Sequence, residues 1–226
     1  MRNVSSSGAL VIAAVVLGIS YAVGAVGLGT PPTATDPSTD VLSWFQQHQG
    51  GARTYAWATT VGLVAFAVLA GIIRGRLPRP MNDIFLLGAA AFLVETAISA
   101  WFWAALALHP DSLEPATART VLDITIFWAP VLTASTLAMI GSVTVLGLKR
   151  PALIPAWLTA IGCVVFLEQL IETVTIFGTN GFIAPGGDMN KVLGAGLFLI
   201  WLVGLVVWAA RHSAVEPATV ILPRES

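Results

Sequence analysis

The side chains of this sequence most able to do chemistry are four carboxylates, Glu95, Asp123, Glu168 and Glu172, each set inside a long apolar stretch. Every Lys and Arg falls in the polar segments between those stretches, which leaves the four acids without a basic neighbour in the apolar regions. An ionised carboxylate in hydrocarbon is expensive, so such a group must bind a cation, reach water or hold a proton. Glu168 and Glu172 stand four residues apart, with Gln169 beside them, so the two acids share one helical face about 6 Å apart. Phe102 and Trp103 follow Glu95 on roughly its own face, and Phe127 and Trp128 follow Asp123. Aromatic faces of this kind stabilise positive charge. These nine residues are the candidate site.

Depth sets the acids apart. Glu95 lies about 18 Å along its stretch at 1.5 Å per residue, near the middle of a bilayer. Glu172 and Asp123 fall roughly 6 Å inside the opposite boundary and Glu168 about 12 Å, which forms a staircase if their stretches adjoin. The plainer reading makes Asp123 and Glu172 ordinary interfacial acids and Glu95 a protonated side chain bonded to a carbonyl. Two functional readings stand beside it. In one, the acids line an outward-facing cavity that binds or conducts a proton, a metal cation or an organic cation. In the other, the protein is a membrane-embedded enzyme acting on an apolar lipid or isoprenoid in the manner of terpene cyclases, with Glu95 as general acid. An accessory membrane subunit without chemistry of its own is the third.

The elements that must position these groups are membrane helices. Charged residues make up 10% and hydrophobic ones 56% of 226, and mean hydropathy is +0.83, against roughly 25% charged in a soluble domain. Six apolar stretches, at about 8–29, 54–73, 84–108, 120–148, 153–177 and 192–210, each approach or exceed the ~20 residues needed to cross the bilayer. Alternating ten-residue patterns are absent, which argues against a barrel. The expected fold is an all-α polytopic bundle of six spans forming one transmembrane domain over 1–226. Basic residues gather at the termini and the even-numbered loops (Arg2, Arg74, Arg76, Arg79, Lys149, Arg150, Arg211, Arg224), against Arg53, Arg119 and Lys191 elsewhere. By the positive-inside rule both termini are cytoplasmic, in the plasma membrane. The first apolar run is longer than a signal peptide's usual core, which favours a retained span over a cleaved one.

Local signals refine the elements. Val41, Leu42, Trp44, Phe45 and His48 recur at helical spacing after Ser38-Thr39-Asp40, which supplies N-cap chemistry, and Gly50-Gly51 ends the run. That segment reads as a short amphipathic helix on the outer surface, an interfacial anchor in preference to a lid. Asp83 is placed to cap the third span, and Pro130 should kink the fourth and free the Ile126 carbonyl, which Thr133 could satisfy. Ala14, Gly18 and Ala22 form a small-residue stripe that suits close packing within the bundle or a homo-oligomer contact. His48, His109 and His212 are scattered, so no metal or haem site is expected, and no phosphate loop or other cofactor motif is present. The net charge of −1 says nothing about nucleic acid, and with no basic patch to suggest it, none is expected as a partner. The expected partners are the bilayer and a small cation or apolar small molecule.

Several phrases resemble an uncharacterised family of six-span actinobacterial membrane proteins. They are Val41-Leu-Ser-Trp-Phe-Gln-Gln-His, Leu113-Glu-Pro-Ala-Thr-Ala-Arg with Asp123 downstream, Leu153-Ile-Pro-Ala-Trp-Leu-Thr-Ala-Ile-Gly and Gly181-Phe-Ile-Ala-Pro-Gly-Gly. The resemblance implies the six-span topology and carries no activity. Glu95, Glu168 and Glu172 lie outside it.

Overall fold

The computed structural model describes residues 6–212; Arg2 and Arg224, which contribute to the charge asymmetry, lie outside them. The described residues are helical, with no strand. α1 (Ser6–Leu28) leads to a short α2 (Ser38–Gln47) and then α3 (Gln49–Arg74), α4 (Met81–Leu106), α5 (Pro115–Ile126), α6 (Trp128–Lys149), α7 (Ala156–Glu172) and α8 (Ala195–Arg211). A 3-10 turn, Thr173–Phe177, extends α7, and a π-helical turn, Met189–Gly194, opens into α8. Six helical segments are long and apolar enough to cross a membrane: Ser7–Leu28, Gln49–Arg74, Met81–Leu106, Pro115–Lys149, Ala156–Phe177 and Met189–Arg211. Val26, Leu87, Val94 and Leu148 among many others turn outward. Water would not tolerate so continuous an apolar exterior, whereas lipid does. The chain is a multi-pass membrane protein.

The spans close into a ring in which α1 packs on α3, α3 on α4, α4 on α6, α6 on α7, α7 on α8, and α8 back on α1. In lipid, helices associate through close van der Waals fit, and small residues permit it. Gly51 of α3 meets the Gly27 carbonyl of α1 so closely that a Cβ has no room, and a Cβ on Gly88 of α4 would sit 2.7 Å from the Ser135 carbonyl of α6. Gly50 and Gly51 therefore do not end α2; they lie in the first turn of α3, directly after the His48 junction, where Gly51 serves helix contact and Gly50 faces open space.

Other local expectations are revised by the same logic. Pro37 occupies the N-cap of α2, and no side chain caps that helix. Pro80 occupies the N-cap of α4, so Asp83 sits in the first turn and pairs with Arg74 (3.3 Å) and Arg79 (3.7 Å). The fourth span breaks at Phe127 into α5 and α6, in the turn before Pro130, and Thr133 donates to the Pro130 carbonyl, not to that of Ile126. α2 turns its apolar face onto the bundle, not away from it. Val41 and Phe45 are fully buried against Trp103, Ala107 and Leu122, and Trp44, Phe45 and Tyr55 surround the Trp103 ring at 5.4–5.8 Å.

Candidate functional site

α7 ends in two acids and an amide, and the fold buries all three: Glu168, Gln169 and Glu172 are 8%, 4% and 4% exposed. Gln169 bridges the pair, its Nε2 donating to Glu168 Oε2 (3.0 Å) and Glu172 Oε2 (2.6 Å). Asn190, on the π turn, donates to Glu172 Oε1 and to Thr175 Oγ1 (3.3 Å), and its own Oδ1 accepts the Gly186 amide (2.9 Å). Thr136 of α6 donates to Gln169 Oε1. Each amide nitrogen thus turns its hydrogens on protein acceptors, and the oxygens left over can only accept. Glu168 Oε1 is buried with no hydrogen-bond partner.

The backbone explains why Asn190 reaches Glu172. A π turn widens the helix by one residue and re-aims its side chains, a distortion often found at functional sites. Gly194 closes that turn against the acid: a Cβ there would lie 2.8 Å from Glu172 Cδ and closer still to Oε2. Among the described residues no ion pair reaches Glu95, Glu168 or Glu172. Lys191 is exposed, and the charges it feels are those of Asp188 and Asp36.

Glu172, Gln169, Asn190, Gly194 and Thr136 form the polar end of a cavity of about 440 Å³. Every span contributes to its wall: Ala14, Gly18 and Tyr21 from α1, Phe66 from α3, Phe92 from α4, Trp128 and Leu132 from α6, and Phe198 to Val207 from α8. The remainder is apolar. Trp128 carries a buried Nε1–H without a hydrogen-bond partner. The volume falls in the ~300–1,000 Å³ range of small-molecule sites.

The four acids do not converge. Glu95 is half-buried on the α6-facing stripe of α4 and accepts from Ser135 Oγ at 2.8 Å, outside the cavity lining. Ser135 and Thr136 point to opposite neighbours, one to Glu95 and one to Gln169, and the oxygen they share is the Leu132 carbonyl. A carbonyl accepts protons' hydrogen bonds without passing a proton on, so the direct route between the two acidic groups is interrupted there. Asp123 has a basic partner after all: Arg119, one turn earlier on α5, meets it at 2.8 Å and also donates to the carbonyls of Ala34 and Asp36. Their i,i+4 spacing was visible once α5 is known to start at Pro115. Of the aromatic candidates, Trp128 lines the cavity, Trp103 belongs to the α2 cluster, Phe127 is exposed, and Phe102 lies outside the lining. Asn190, Thr136 and Gly194 are the additions. Asn190 sits in a turn-rich stretch whose π geometry no periodicity announces.

Among the described residues no group of three or more His, Cys, Asp and Glu is placed to hold a metal ion. His48 stacks on Trp44 and His212 on Trp208, each bonded to a carbonyl one turn back. Comparison with protein-family models, with curated proteins and with solved structures yields no match.

Proposed function

We propose that this multi-pass membrane protein binds a small organic cation in the cavity between its spans, with Glu172 as the anionic contact. The carrying observation is the imbalance at the polar end: the Glu172 carboxylate on the lining, joined through Gln169 to the buried Glu168, three amide or hydroxyl groups whose hydrogens are already donated, and, among the described residues, no ion-paired Lys or Arg. A ligand entering that end meets acceptors and negative charge, so it must bring donors or positive charge. An ammonium satisfies both, and the Trp128 and Phe198 rings on the wall favour it further. A bare metal ion fits less well, since it needs oxygen ligands on several sides and here amide N–H groups face the carboxylate. In this reading the basic end of the bundle faces the cytoplasm and the polar end of the cavity lies toward the outer face.

Phenethylamine and its acidic counterpart 3-phenylpropionate test it, titrated calorimetrically against the protein in nanodiscs. The amine should bind, the acid should not, and Glu172→Gln should weaken the amine at least tenfold, or about 1.4 kcal/mol. Equal binding of acid and amine, or an unchanged affinity in Glu172→Gln, would refute the proposal.

A further inference from the structure

We infer that the natural occupant is a single-chain amphiphile with a protonated amine head, which enters sideways from the bilayer between α1 and α8. This rests on the cationic reading of the cavity and adds the tail and the route. The cavity is long as well as voluminous: its α8 wall runs from Ala195 to Val207, about 18 Å at 1.5 Å per residue. Its polar groups all gather at the π-turn end, and the rest of the lining, Leu17, Phe66, Leu69, Leu202 and Val206 among it, is apolar. One charged end and a long apolar remainder describe an amphiphile.

The route follows from the seam that closes the ring. At the basic end α1 and α8 are tied, Ser7 Oγ donating to the Ala210 carbonyl (3.3 Å), with Leu10 buried in the same core as Leu205 and Ala209. Toward the other end they part. Gly18 and Tyr21 on α1, and Leu199, Val203 and Val207 on α8, line the cavity and are at the same time exposed on the membrane-facing exterior. A Cβ on Gly18 would meet nothing within 4 Å. These residues border a gap that opens to lipid, so a membrane-dissolved molecule reaches the cavity without crossing water. The Glu172 carboxylate repels fatty acids and phosphate heads, which are anionic, and admits an amine, although the Trp128 Nε1–H leaves a free donor on the wall.

A Cβ at Gly18 meets open space, so Gly18→Phe places a ring at the gap. Antiparallel pairing from the Ser7–Ala210 tie sets Gly18 beside Leu199, about 7 Å along α8 from Gly194, where the head would bind. The probes are dodecylamine, dodecanoate and phenethylamine, read by native mass spectrometry of the protein in nanodiscs, with empty discs subtracted. Dodecylamine should bind at least tenfold tighter than phenethylamine, and dodecanoate should not compete. Gly18→Phe should lower dodecylamine occupancy tenfold or more while leaving the protein's unfolding transition in place. If Gly18→Phe leaves dodecylamine unchanged, or if the long amine binds no tighter than the short one, the amphiphile and its route are overturned. Should phenethylamine nevertheless depend on Glu172, the cavity reading survives that result; should it not, both fall together.

Discussion

A single hydrogen-for-methyl exchange separates two glycines two positions apart. Gly194 abuts the Glu172 carboxylate, whereas Gly196 has no atom within 4 Å of its would-be Cβ. Gly194→Ala must therefore push the acid off Asn190 or unwind the π turn; overpacking of this kind costs about 1–3 kcal/mol. Amine binding should fall with it, at least tenfold. Gly196→Ala should instead leave binding intact and gain up to about 1 kcal/mol from helix propensity. Reversible unfolding in mixed micelles, paired with the calorimetric titration, reads both. Gln169→Leu, nearly isosteric, removes the donor shared by Glu168 and Glu172 and should destabilise the bundle by about 1–3 kcal/mol per orphaned acceptor. The Glu168–Glu172 pair was readable from its i,i+4 spacing, because helical geometry fixes it locally. That Glu172 would meet Asn190 was not, since that contact depends on a widened turn and on how α7 and α8 pack.

At the scale of elements, α2 joins to the bundle through rings, not charge. Phe45 is fully buried beside Trp103, and Phe45→Ala should cost about 3–5 kcal/mol, the usual range for deleting a core aromatic. Arg119 does a different job, holding the carbonyls of Ala34 and Asp36 as well as Asp123. Arg119→Ala should free the 33–36 segment, seen as faster amide exchange there with little change in the spans. Arg76 anchors the far end. It is 5% exposed and donates to the carbonyls of Ile72 and His212, and burial draws its guanidinium below its ordinary proton affinity. Positions and lengths of the six spans were legible because hydropathy is a property of each stretch alone. Helix starts were less so: proline caps displaced Asp83 and Ser38 from the roles their side chains suit, and Gly51 answered to α1 across the interface and not to its own segment.

For the whole molecule, the distribution of Lys and Arg makes a prediction about sidedness. With Cys163, the lone cysteine, replaced by Ala, a cysteine at exposed Thr35 should react with a membrane-impermeant maleimide on intact cells. One at exposed Arg79 should react only after permeabilisation; the reverse pattern would invert the topology. The ring closure has one more consequence, for biogenesis. α1 leaves the ribosome well before α8, yet the two are neighbours. Until the final hairpin inserts, α7 must wait in the bilayer with Glu168, Gln169 and Glu172 lacking the Asn190 donor, a helix that a translocon would release reluctantly. Nascent chains stopped before residue 189 should therefore linger at the insertion machinery or be degraded, and those carrying the π turn should pass on, so the π turn and α8 act as the checkpoint for the helices made before them.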